Sequence, residues 1–312
     1  MTTHEPSVWI GFSVLVLGLL ILDLGVLNRH SHTLSAKEAM SWSAGLITLA
    51  LLFGGFLWWK EGLQHALEYY SGYLIELSLS VDNLFVFLLI FQYFAVPAAL
   101  QPRVLKWGII GAIVMRAIMI GAGALLLQRF SWITYVFGGI LVITGIQMFS
   151  SKAVRLEPEK NPLVRLARRV IPFTPAYEDD HFFVRNIKGG WLATPLLLVL
   201  LVIEWSDVVF AIDSIPAVFA VTRDAFIVYS SNVFAILGLR ALYFILASAM
   251  DKFAYLKPGV ALILVLVGLK MVASYWVHPP IGISLGGIVL ILTVSVVASL
   301  IHARRAKAAA RE

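Results

Sequence analysis

Glu204-Trp-Ser-Asp207-Val-Val-Phe-Ala-Ile-Asp213-Ser214 sets three carboxylates inside an apolar run, 192–221, that is long enough to cross a bilayer. A second stretch, Glu76-Leu-Ser-Leu-Ser-Val-Asp82-Asn83, does the same inside 73–94. A charged side chain near the membrane centre costs about 3 kcal/mol on insertion scales, so acids kept there mark an ion or proton site. Superposing Asp82 on Asp213 also aligns Glu76 with Asp207 and Asn83 with Ser214. The two stretches read as copies of one unit.

Working outward, the apolar residues fall in long blocks, and the 312-residue chain is 60% hydrophobic and only 13% charged. This is the composition of an all-α polytopic membrane protein. Nine transmembrane helices are expected over 8–27, 40–59, 73–94, 104–127, 132–149, 192–221, 226–250, 258–276 and 281–301. No Lys or Arg precedes Arg29 and no small-residue cleavage site is evident, so the first span reads as a retained anchor. Cysteine is absent, which excludes disulfides and thiolate metal sites. The net charge of +6 comes from basic residues gathered in alternate loops and in the tail. It therefore marks topology, with the N-terminus outside and the C-terminus in the cytoplasm, and gives no reason to expect a nucleic-acid partner.

The spans that follow each acidic stretch also match. Arg116 lies in the next span of one half and Arg240 in the other; then come Gly145-Ile-Gln147-Met148 and Gly268-Leu-Lys270-Met271. Three spans repeating as three spans must enter the membrane from opposite sides, which makes an inverted repeat of spans 3–5 and 6–8 with spans 1, 2 and 9 flanking it. The expected divisions are 1–72 for two flanking helices, 73–149 for the first repeat and 150–190 for a basic cytoplasmic linker. The second repeat follows at 191–276, and 277–312 holds the last helix and a basic tail. The linker reads as a positive-inside determinant resting on anionic lipid, or else as a regulatory or partner-binding segment.

Within the spans the acids are Glu76, Asp82, Glu204, Asp207 and Asp213, and the bases are Arg116, Arg240 and Lys270. A divalent cation or two protons would balance the remaining negative charge. Residues six apart on a helix diverge by about 120°. Either the two acids of each stretch face different neighbours, or the helices are interrupted near Asp82 and Asp213. Pro216 favours interruption, since its missing N–H frees the carbonyl of Ile212. Glu76 reads equally as a ligand or as a group in an outer vestibule, and Asp23 as a partner of nearby Arg29. Carboxylate, amide, hydroxyl and carbonyl oxygens suit manganese, magnesium or calcium. The seven histidines fall in loops or at span ends, which speaks against a haem held mid-membrane.

The strings Glu76-x-Ser-Leu-Ser-Val-Asp82-Asn83, Glu204-x-Ser-Asp207-Val-x-Phe-Ala-Ile-Asp213-Ser214-Ile-Pro216-Ala and Ser231-Asn232-x-Phe-Ala-Ile-Leu-Gly-Leu-Arg240-Ala resemble those of the TerC membrane proteins, and within them the Alx branch. The likeness extends to His181-Phe-Phe-Val-Arg185 and to the placing of the spans. It implies a manganese exporter of the bacterial cytoplasmic membrane, related to LysE-type exporters. By the same resemblance Glu76, Asp82, Asn83, Glu204, Asp207, Asp213 and Ser214 are candidate metal-site positions, with Arg116, Arg240 and Asn232 supporting them.

The expectation is a secondary transporter, not an enzyme. It would export Mn²⁺ as substrate by alternating access with proton entry and carry no prosthetic group, its partners being the metal ion, protons and the bilayer. Two rival readings stay open: a membrane-protein assembly or stress-resistance scaffold without transport, and an exporter of another divalent cation such as calcium. A third, an intramembrane aspartyl hydrolase, finds no catalytic motif around Asp207 and Asp213.

Overall fold

The computed structural model describes residues 6–23, 36–130, 132–150, 162–185, 190–247, 255–273 and 281–309. Eleven helices and one small hairpin account for nearly all of them: α1 (Pro6–Ile21), α2 (Ala36–Glu61), α3 (Leu63–Tyr93), α4 (Gln101–Arg129), α5 (Ile133–Ser150), α6 (Pro162–Val170), β1 (Phe183–Arg185), β2 (Trp191–Ala193), α7 (Pro195–Phe219), α8 (Ala225–Leu237), α9 (Leu239–Ala247), α10 (Leu256–Val272) and α11 (Ile281–Ala309). Runs of Leu, Val, Ile and Ala propagate the helices, and local chemistry ends them. Gly62, at φ +95°, takes a conformation that L side chains resist and separates α2 from α3. The Asp224 carboxylate accepts from the backbone N–H groups of Phe226 and Ile227, capping α8.

Each of the nine expected apolar segments carries helix, but not every helix is a span by length and composition. Four described helices are long and apolar enough to cross a membrane: α2, α4, α7 and α11. A fifth crossing is available if α8 and α9, bent by 41°, count as one. α1, α5 and α10 are shorter apolar helices. α3, at 31 residues, has the length but is interrupted by Glu68, Glu76 and Asp82. It starts ten residues before the expected 73, because the more polar 63–72 is helical too.

Two further expectations are corrected. The seventh apolar segment is broken at Gly238, between α8 and α9, rather than running straight. Conversely, α3 and α7 pass unbroken through Asp82 and Asp213. Pro216 sits in the last turn of α7, where its own carbonyl still accepts from Ala220 N–H, so the missing N–H does not break the helix.

α3 packs against α2, α7, α8 and α11, while α4 packs on α7 and α8. The most extensive pairing joins α5 to α10. A β-carbon on Gly138 would strike the Gly268 carbonyl and Val272, and one on Gly145 would strike the Ala261 carbonyl and Val265. As numbers rise along α5 they fall along α10, so the two helices are antiparallel and meet backbone to backbone. α4 and α7 run parallel, with Gly108 facing Ile203 and Gly123 facing Phe219.

The 150–190 segment is more structured than a linker suggests, although 151–161 and 186–189 lie outside the described residues. α6 packs on α7, and β1 pairs antiparallel with β2, which runs straight into α7. Tyr177 Oη donates to the Phe94 carbonyl at 2.8 Å, and Arg103 Nη1 lies 3.1 Å from Asp180 Oδ2. The segment is thereby fastened to the turn between α3 and α4.

Candidate functional site

α3, α4 and α7 converge on a buried guanidinium. Arg116, halfway along α4, has no solvent exposure, and neither has Glu76 on α3. Its Nη2 donates to Asp207 Oδ1 at 3.1 Å and its Nε to Asp207 Oδ2 at 3.3 Å, a two-pronged grip on one carboxylate from α7. Nη1 donates to Glu76 Oε1 and, at 3.1 Å, to the Ser214 hydroxyl. One arginine thus joins the two acids that the sequence superposition makes equivalent.

The helices explain the meeting. α3 and α7 run antiparallel, since Gly72 faces Val218 while Glu76, a turn further along α3, shares Arg116 with Asp207. On α7, Asp207 and Ser214 are seven residues apart and occupy one face, so both reach the same guanidinium. Glu76 is therefore an interior group at mid-helix, and the vestibule reading for it is withdrawn. Because α3 and α7 are unbroken, positions 76 and 82, like positions 207 and 213, lie on different faces of their helices.

On α3 and on α8, which packs against it, several polar atoms are buried without a hydrogen-bond partner: Glu76 Oε2 and Ser80 Oγ, and both Asn232 amide atoms. Ser80 follows Glu76 by four residues on the same face of α3, and α3 packs closely on α8. Buried polar atoms normally have partners, so these unsatisfied atoms mark a polar interior where α3 meets its neighbours. Asn83 is buried one further turn along α3. Glu204 is half-buried, and its carboxylate lies against Gly111 of α4, where a β-carbon would overlap it.

The remaining candidates separate. The side chains of Asp82 and Asp213 lie outside the described residues, although their backbones belong to α3 and α7. Arg240 is buried away from this centre and pairs with Asp23 at the end of α1. Asp23 was expected to answer Arg29, which lies outside the described residues; its partner is Arg240, 217 positions away in sequence. Lys270 occupies the last turn of α10. Among the described residues no group of three His, Asp or Glu side chains forms a ready-made metal cage. Sequence reasoning missed Ser80 and Gly111. Ser80 was signalled by its four-residue spacing from Glu76; the role of Gly111 depends on the neighbouring helix, which no spacing reveals.

A helical bundle with several bilayer-length apolar helices and a charged centre buried where three helices cross is an integral membrane protein built around polar chemistry in its interior. The chain belongs to the TerC family of integral membrane proteins, whose family model matches residues 61–307. It is 53% identical over 302 residues to an uncharacterized membrane protein, STKORF319, of Myxococcus xanthus, covering 97% of this chain and 94% of the relative. It is 49% identical over 306 residues to a Salmonella typhi protein provisionally named membrane-bound redox modulator Alx, covering 95% of this chain and 94% of that one. The Escherichia coli K12 protein of the same name is 48% identical over 304 residues, with 94% of each chain covered. These matches agree with the Alx branch. No solved structure matches the chain.

Proposed function

We propose that this protein is a secondary transporter that exports divalent manganese across the bacterial cytoplasmic membrane by alternating access, coupled to proton entry. The observation that carries the reading is Arg116, buried between Glu76 and Asp207 beside orphaned oxygens on Glu76 and Ser80. A buried guanidinium shared by two carboxylates acts as a resident counter-ion. A divalent cation arriving at Glu76 Oε2 competes with it for the same oxygens, so metal binding and rearrangement of Arg116 are one event. With Arg240 committed to Asp23, Arg116 alone stands against Glu76 and Asp207, which leaves the centre short of positive charge. Oxygen donors of this kind suit manganese among borderline cations. Moving two charges out against about 100 mV costs about 4.6 kcal/mol, and inward proton flow offsets it.

The architecture proposed for this cycle has nine crossings, the N-terminus outside, the C-terminus in the cytoplasm, and an inverted repeat of spans 3–5 and 6–8. The contact between α5 and α10 supports the inverted repeat. Aligning Gly145 with Gly268 also aligns Gly138 with Ala261 and Val142 with Val265. The meeting of Gly138 with Gly268 then has its counterpart in Gly145 with Ala261, and Gly268 with Val142 has its counterpart in Gly145 with Val265. Reciprocity of this kind is the mark of a two-fold axis between two elements.

The names of the Alx relatives record a redox role; a thiol-based one is closed to this chain, which has no cysteine. The deciding measurement is Mn²⁺ uptake into inverted vesicles with and without a proton gradient, for the wild type and for Asp82→Asn and Asp207→Asn. Transport that depends on the gradient and is lost in both variants while they still insert is the expected result. No uptake under either condition would refute the exporter, and indifference to both substitutions would favour a scaffold.

A further inference from the structure

We propose that α6 is an interfacial helix that binds anionic phospholipid of the same membrane, with its arginines on the headgroup phosphates and an apolar edge set into the bilayer surface. At about 100° per residue, its side chains divide into three sectors. Val164 and Ala167 form one side and are buried, as α6 packs on α7. Arg165, Arg168 and Arg169 form the next sector, and all three are exposed. Leu166 and Val170 form the third and are 59% and 71% exposed. A helix resting on a protein surface in water needs only the first two sectors. Arg168 and Arg169 also suit the helix C-terminus, but that accounts for neither Arg165 nor the apolar edge.

The position of α6 selects the occupant. α7 is apolar from its first turn, Pro195-Leu-Leu-Leu-Val-Leu-Leu-Val-Ile, so the hydrocarbon layer begins beside the helix that α6 packs against. Trp191, 67% exposed, stands just before that turn, where interfacial aromatic residues collect. It is paired across the hairpin with Arg185, which is also exposed. A short helix held at this level by Val164 and Ala167 presents its arginines to phosphates and its third sector to the acyl boundary. That is the division of labour in helices lying in the plane of a membrane surface. A juxtamembrane arginine near anionic lipid contributes about 1 kcal/mol, or roughly fivefold in lipid preference.

The cysteine-free chain makes the test direct. Single cysteines replace Leu166, Val170 or Arg168 in the full-length protein, each carries a spin label, and the protein is placed in phosphatidylcholine bilayers with or without phosphatidylglycerol. The labels at 166 and 170 are expected to collide with membrane-dissolved oxygen in preference to a water-soluble relaxation agent, more strongly when phosphatidylglycerol is present, and the label at 168 to do the reverse. In a second measurement, Arg165→Gln, Arg168→Gln and Arg169→Gln together lower the protein's preference for spin-labelled phosphatidylglycerol over phosphatidylcholine by roughly fivefold per arginine. The corresponding triple Lys variant, which keeps the charge, retains that preference and controls for folding. Equal water contact at all three labels, protection from both collision agents as a protein partner would give, or an unchanged lipid preference in the Gln variant each overturns the proposal.

Discussion

Arg116 grips Asp207 through one edge of its guanidinium, with Nη2 3.1 Å from Oδ1 and Nε 3.3 Å from Oδ2, in a region closed to solvent. Lysine cannot reproduce that fork, because an ammonium is a point charge without a planar face. Removing the cation altogether leaves Glu76 and Asp207 buried and uncompensated. Arg116→Met is expected to destabilise the protein by about 3 to 5 kcal/mol, the usual consequence of breaking a buried pair from one side. Thermal unfolding in detergent measures this. The same substitution in a Glu76→Gln, Asp207→Asn background should cost much less, and an equal loss in both backgrounds would show that the charges are not what Arg116 answers.

The α5/α10 seam depends on the absence of side chains. Gly268→Val would drive a branched side chain into the Gly138 carbonyl and Leu141, and helix backbones cannot give way as a flexible side chain can. A loss of about 1 to 3 kcal/mol is expected from overpacking. Gly139, which has open space beside it, is the control: Gly139→Val should leave stability nearly unchanged. If both substitutions behaved alike, close backbone approach would not be what holds the pair.

Much of this was legible in the sequence, and the failures have physical causes. Apolar blocks located the helical segments because burial in lipid or protein demands them. Spacing indicated that Asp207 and Ser214 share a face, since helical period is a local property. The partners of Arg116 and Arg240 were not legible. Choosing between Glu76 with Asp207 and Asp23 requires knowing which helices touch, and contacts between residues 91 or 217 positions apart leave no local trace. The break at Gly238 was hidden because apolar composition continues across it, whereas Pro216 suggested a break that its place near the end of α7 makes unnecessary.

The pair Asp23 and Arg240 ties α1, which precedes the family match, to α9 just beyond the 41° bend. Asp23→Leu or Arg240→Met alone strands a buried charge and should cost about 3 to 5 kcal/mol. Replacing both at once with Leu and Met removes the pair rather than breaking it, and should recover most of that loss. A double-mutant cycle read by unfolding temperature tests this, and additive losses would mean that the two side chains act independently.

Tyr177 lies outside the apolar helices, and burial raises its hydroxyl pKa above the ordinary value of 10.0. The neutral phenol is the form that donates to Phe94. Its contribution to holding the segment on the α3/α4 turn is present in full below the unfolded pKa and is lost as pH rises through the higher folded value. Ultraviolet titration of tyrosinate, taken as the difference between wild type and Tyr177→Phe, should place this group on the alkaline side of free tyrosine. A midpoint at or below the free value would remove the buried hydrogen bond from the account.

Gly111 and Glu204 give the sharpest test of how the acidic centre is packed. The Glu204 carboxylate occupies the space that a side chain at position 111 would need, so Gly111→Val must displace it or force α4 away from α7. Either route is expected to cost about 1 to 3 kcal/mol, as overpacking does. Glu204→Ala vacates that space. In the double variant the valine should be nearly tolerated, giving a favourable coupling of about 1 kcal/mol or more between the two sites. Measured by unfolding temperature, strict additivity would place the Glu204 carboxylate elsewhere than against Gly111. Because Glu204 stands one turn before Asp207 on α7, it would then also lose its claim to a place beside Arg116.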